Sequence, residues 1–279
     1  MQSYRLKWKN MNLSVRVSDA AFIERVAHLI GLAVEISETS GLIPPDITAF
    51  RQGTEYVLRT SHNIWKTGKK RDFLVHFVTL ISVHYRSNCT ETVLHAGAIV
   101  VDEEAILFSG IARTGKSAIC LIAWQQGFEV IGDDWIVLDR LNCQVQIFPK
   151  PLRPRLPDLK MPRELLDLHI PSKDYLLGSL NGEFRLILGR RLKNMAPTGV
   201  SFPVRSLFLI EREARTECLP VSRDAVLKTV LGEVMSTQSS PLRIVPFLER
   251  LWEKGQVHRL VVGENDLQGA LEFMAGGRS

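Results

Sequence analysis

An apolar run, "AILFS" at residues 105–109, leads into Gly110-Ile111-Ala112-Arg113-Thr114-Gly115-Lys116-Ser117. A helical stretch, "KSAICLIAWQQG", leads out of it. The eight residues satisfy G-x-x-x-x-G-K-[ST] at every fixed position, in the strand–loop–helix context that gives this pattern its meaning. Glycines allow backbone angles that turn successive N–H groups toward phosphate oxygens. Gly110, Ala112, Arg113, Thr114, Gly115, Lys116 and Ser117 are therefore the expected nucleotide-binding residues. Lys116 supplies a point charge for the outer phosphates, the Ser117 hydroxyl is a Mg²⁺ ligand, and the helix that follows adds its positive end. The loop is thus expected to hold the phosphates of a nucleotide together with Mg²⁺, and no motif selects adenine over guanine.

Two carboxylates, Asp133 and Asp134, follow the apolar "FEVIG". A phosphoryl-transfer site needs a carboxylate on the metal side and gains from another that orients or deprotonates the acceptor hydroxyl. Two adjacent carboxylates meet both needs, with the division of roles between Asp133 and Asp134 left open. Upstream, "TVLHAGAIVVDEEAILFSG" reads as two strands around the polar break "DEE", so a hairpin feeds the loop strand. His95 opens the first of those strands and is a candidate for phosphate contact or proton transfer.

The order of these parts, "LHAGAIVVDEEAILFSGIARTGKSAICLIAWQQGFEVIGDD", resembles the catalytic core of the HPr kinase/phosphorylase superfamily. That superfamily shares the fold of phosphoenolpyruvate carboxykinases. The resemblance covers about residues 94–139. It implies a mixed α/β fold, ATP and Mg²⁺, with Lys116 on phosphates, Ser117 and Asp133 on the metal side, and Asp134 or His95 near the acceptor. Lys116, Asp134 and His95 are thus the expected catalytic residues. Arg113 stands where the bifunctional family has glycine, and the second glycine-rich signature of that family has no counterpart. A dedicated serine kinase without phosphorylase activity is expected, acting on a peptide or small protein. Truncated relatives of this type resemble kinases of peptide-modification pathways, lasso-peptide clusters among them. A small-molecule kinase and a nucleotide-binding regulatory module without transfer are the alternatives.

The 279 residues are read as one HPr-kinase-like catalytic domain, with 1–90 integral to the core and 91–140 as the nucleotide-binding part. A helix is expected near Asp19 to Ile30, capped by Ser18-Asp19, and another over 71–87. The strand-like runs of this half are "LSVRV", "VEIS" and "EYVLRT". Further on, "RELLDLHI" reads as a short helix or turn, "VRSLFLIER" as a strand, "RDAVLKTVLGEVM" as a helix, "VHRLVVG" as a strand and "NDLQGALEFM" as a terminal helix.

The net charge of +5 is concentrated in a basic, proline-rich segment at 148–195, where Lys150 to Lys193 holds ten Lys or Arg against five Asp or Glu. Within it Arg153 and Arg155 are candidates for gripping a phosphate or an acidic acceptor, since the arginine fork matches both. Few aromatics accompany the charge, which argues against a base-stacking nucleic-acid surface. Four dispersed cysteines and no signal-peptide pattern point to a cytoplasmic protein with reduced thiols and no membrane partner. Homo-oligomerisation is an implication of the resemblance alone.

Overall fold

The computed structural model describes residues 1–37, 45–156, 168–235, 238, 240–263 and 266–276. Most of "RELLDLHI" lies outside them. The chain divides into two compact units, residues 1–86 with 149–192 and residues 87–148 with 193–279.

The first unit contains a six-stranded sheet in the order Val34–Ile36, Gln2–Trp8, Met11–Val17, Ile47–Gln52, Glu55–Arg59, Ile64–Thr67. Alternation drives it: Tyr4, Leu6 and Trp8 face the core with Leu13, Val15 and Val17, while lysines and arginines between them face outward. The helix Ala20–Ile30 buries Phe22, Ile23, Val26, Leu29 and Ile30, and Asp19 caps it by accepting the Ala21 N–H at 2.9 Å. Lys70–Asn88 forms the second helix, with Phe73, Val75, Phe77, Val78 and Ile81 buried round much of its circumference. The basic segment is more regular than its prolines imply. Tyr175–Leu180 and Glu183–Leu188 pair antiparallel across Asn181-Gly182, both at positive φ, and Arg155–Leu156 adds a third strand.

The second unit contains a nine-stranded mixed sheet among the described residues. At its centre Glu104–Ser109 pairs antiparallel with Ala96–Val101 and parallel with the long strand Ser201–Glu213. Asp102 and Glu103, with φ of 50° and 63°, make the two-residue turn between the first pair. Two positive φ values give the primed turn whose twist suits a hairpin. The expected architecture, a mixed α/β sheet whose glycine loop is delivered by a hairpin, is therefore present.

Gly97 sits opposite Phe108 in that hairpin, and a Cβ there would lie 2.1 Å from the Phe108 ring. The ring fills the space over the glycine. Gly97→Ala is expected to cost about 1–3 kcal/mol by overpacking, read as a lower midpoint in urea unfolding with unchanged slope.

"FEVIGDDWIVLD" becomes two short strands, Glu129–Gly132 and Ile136–Asp139, joined through the aspartates. The first pairs with Ala96–Val101 and the second with Thr92–Leu94 and Gln144–Gln146. A register shift between Val130 and Gly132 precedes the turn, and bulges of this kind re-aim the side chains that follow. Beside the sheet lie the helices Lys116–Gln125, Arg223–Gly232, Val245–Glu253 and Leu267–Met274. Leu94, Ala98, Leu107, Ile136, Leu209, Val230 and Phe247 share one buried cluster. No helix among the described residues is long and apolar enough to cross a membrane. The four cysteines are free thiols, with Cys89 and Cys120 buried.

Candidate active site

Ser109 ends the central strand, and the loop from Gly110 to Gly115 turns the chain into the helix Lys116–Gln125. Gly115 caps that helix at φ 103°, a left-handed angle at which a side chain would be strained. Gly110 is constrained by proximity instead, since a Cβ would approach the Ile210 carbonyl oxygen to 2.4 Å. Arg113 holds φ 74° without being glycine. Thr114 is buried and its hydroxyl donates to the Ile111 carbonyl at 3.0 Å.

Lys116 lies under the loop, only 5% exposed, with Nζ donating to the carbonyls of Gly110 at 2.6 Å and Ile111 at 3.2 Å. Burial pulls its ammonium below the ordinary lysine value; the charges of Glu233, Asp134 and Asp133 push the other way. Asp133 is nearly buried at 4% exposure. Gly132, just before the aspartates, accepts the Cys120 thiol at 3.2 Å, which ties the turn to the helix of the phosphate loop. Burial, reinforced by Asp133, raises that thiol well above its ordinary value, so Cys120 is a packed neutral group rather than a nucleophile.

His95 follows Thr92–Leu94, and its ring joins two carboxylates from distant parts of the chain. Nε2 lies 3.1 Å from Asp134 Oδ1, and Nδ1 bonds Glu233 Oε2. Asp134 and His95 are each about one-quarter exposed at the side chain. The structure thus brings His95 and Asp134 together and sets the aspartate pair within electrostatic reach of Lys116. It adds one member that the motifs do not mark, Glu233, a lone carboxylate within the apolar "VLGEVM".

Arg212 is the second residue that sequence motifs leave unmarked. Its Nε donates to the Thr114 carbonyl at 3.0 Å and its Nη1 to the Gly263 carbonyl at 2.8 Å. One guanidinium therefore braces the loop against the ends of two parallel strands, Ser201–Glu213 and Val257–Gly263. A cavity of about 410 Å³ opens beside it, lined among others by Ile111, Ala112, Arg113, Leu209, Arg212 and Thr229. Two guanidiniums and loop backbone on its wall suit an anionic ligand. Arg212→Ala is expected to loosen the loop and weaken binding of a nucleotide triphosphate about tenfold, one lost charge-assisted bond. Calorimetric titration of the variant checks this.

Arg153 and Arg155 belong to the first unit and are engaged within it. Arg153 Nη1 donates to the Thr79 hydroxyl at 2.9 Å, and Arg155 Nη1 pairs with Glu183 at 3.4 Å. None of these partners is a phosphate-loop residue.

No family model and no curated protein matches the sequence. Among solved structures the chain is similar to the HPr(Ser) kinase/phosphatase of Coxiella burnetii, at 16% identity over 66% of this chain and 93% of that one. The TM-score is 0.32, an overlay too loose to carry a residue or an activity from one protein to the other. The chemistry of this site has to be argued from its own residues.

Proposed function

We propose that the protein is an ATP- and Mg²⁺-dependent kinase that phosphorylates a hydroxyl, with a serine of a peptide or small protein as acceptor. One observation carries the reading: a complete phosphate loop with a carboxylate pair beside its lysine, one member of which is held by a histidine. A loop that only binds nucleotide has no use for Asp134 and His95 in that arrangement.

Loop amides and Lys116 would bind the outer phosphates and stabilise charge on the transferred group. Asp134 would orient the acceptor hydroxyl and take its proton. Bound Mg²⁺ supplies charge neutralisation at the phosphates, and the Ser117 hydroxyl with Asp133 would hold it. Those donors fit the ion: Mg²⁺ takes one or two carboxylates and completes its shell with phosphate oxygens and water. That no group of three His, Cys, Asp or Glu among the described residues is arranged to hold a metal ion by itself is therefore no obstacle.

The serine and peptide part of the proposal and the homo-oligomer come from the resemblance of residues 94–139, and the cytoplasmic setting from the four dispersed cysteines. Arg155, 52% exposed at the side chain, is the basic segment's candidate for an acidic or phosphorylated acceptor. The test is incubation of the purified chain with ATP, Mg²⁺ and serine-containing peptides encoded beside its gene, followed by mass spectrometry. The expected product is a peptide heavier by one phosphate on serine. Tight ATP binding with transfer only to a small molecule would overturn the peptide assignment, and binding with no transfer at all would overturn the kinase.

A further inference from the structure

Glu233 is the first residue past the helix Arg223–Gly232, and its position does not depend on its side chain. Its carbonyl accepts the His95 N–H at 2.8 Å, Leu94 and Val234 form a β-bridge, and the Met235 N–H donates to the Val93 carbonyl at 2.8 Å. The two hydrogen bonds, which together make that bridge, therefore lay 233–235 alongside 93–95. The carboxylate of Glu233 on His95 Nδ1 comes in addition to that clip and is not needed to hold the segment.

The side-chain contact has a chemical consequence. A neutral imidazole carries one N–H, and the partner of one nitrogen decides where that proton sits. An ionised carboxylate only accepts, and each ring nitrogen faces one; Glu233 lies nearer its nitrogen than Asp134 does, so a single ring proton sits on Nδ1. Nε2 then presents a lone pair to Asp134 Oδ1, 3.1 Å away. That second contact becomes a hydrogen bond when one proton lies between the two atoms.

We propose that Glu233 is a positioning residue for phosphoryl transfer: it fixes His95 as the Nδ1–H tautomer, so that Nε2 shares the proton Asp134 takes from the acceptor. The inference rests on the kinase reading above. In the step, the acceptor O–H bond breaks as its oxygen bonds the terminal phosphorus. The bond from phosphorus to the leaving diphosphate oxygen breaks, and its electron pair departs with that oxygen. The proton goes to Asp134 and is shared with Nε2, and the Glu233 carboxylate offsets the charge that develops on the ring. The logic is that of a base oriented by a third group. Around the ring the charged groups are Glu233, Asp134 and, within electrostatic reach of both, Lys116.

Glu233→Gln tests it, because glutamine keeps the shape and the backbone links but presents an amide that either accepts or donates. Two quantities are read: the ¹⁵N shifts of the His95 ring, which report the tautomer, and kcat with ATP affinity measured separately. In the unaltered protein the proton is expected on Nδ1. In Glu233→Gln it is expected to divide between the two nitrogens, with kcat down roughly a hundredfold, ATP affinity unchanged, and partial recovery in Glu233→Asp. An unchanged tautomer overturns the proposal, whether or not kcat falls. A shifted tautomer with full kcat overturns the catalytic role. Failure of the kinase reading is seen separately, as absence of transfer by the unaltered protein toward any acceptor.

Discussion

Asp134→Asn is expected to bind ATP as the unaltered protein does and to transfer its phosphate about a thousand times more slowly. The substitution keeps the shape of the side chain and removes its charge, and with it the capacity to take a proton. Asp134 is the member of the pair suited to meet an acceptor: its side chain is 25% exposed, whereas Asp133 is 4% exposed. His95 Nε2 lies 3.1 Å from one oxygen of Asp134, close enough to share the proton that Asp134 takes. Asp133→Asn is the control, because a metal-side carboxylate should instead raise the Mg²⁺ concentration needed for half-maximal rate. Single-turnover transfer, followed with saturating ATP and graded Mg²⁺, separates the two. Near-normal transfer by Asp134→Asn together with lost transfer by Asp133→Asn would exchange the roles. Near-normal transfer by both would remove the carboxylates from the chemistry.

The parts of this site that local sequence dictates were readable in advance. The glycine loop, its hairpin and the helix after it are made by neighbours in the chain, and their signals are turn residues and apolar runs. Asp19 shows the same economy: the cap, the apolar face and the left-handed Gly31 that ends the helix all fall within a dozen residues. Glu233 and Arg212 were not readable, because their partners are remote. Glu233 meets His95 across 138 positions, and Arg212 meets Thr114 across 98. Nothing in "VLGEVM" or "LIERE" announces a partner, and only the pairing of strands brings them in.

The strands of the basic segment went unmarked for a different reason. Asn181-Gly182 is a strong hairpin signal, and the flanking strands bury Leu176, Leu186, Ile187 and Leu188. Charges on the outward face hid the alternation. Arg153 and Arg155 consequently serve contacts inside their own unit, with Thr79 and Glu183, and any role with an acceptor has to be compatible with those bonds.

Lys116→Met separates folding from function most sharply. Its ammonium bonds the loop's own carbonyls, Gly110 at 2.6 Å and Ile111 at 3.2 Å. Burying that charge is costly, which is why burial lowers its pKa despite Glu233, Asp134 and Asp133 nearby. Methionine has similar volume and removes the cost of burying a charge, which offsets part of the roughly 1–3 kcal/mol lost when the two carbonyls lose their donor. Unfolding of the variant should therefore occur a few degrees below the temperature of the unaltered protein. Phosphoryl transfer should fall by about a thousandfold or more, because a preorganised cation aimed at developing phosphate charge acts in a site largely closed to water. Lys116→Arg is not expected to rescue it, since the planar fork needs more room than one ammonium beneath two carbonyls. A melting curve and a single-turnover assay decide the matter. Transfer within tenfold of normal would mean that the lysine only staples its loop. A collapse of stability alongside activity would mean that the two carbonyl bonds, rather than phosphate, are what the ammonium is there to serve.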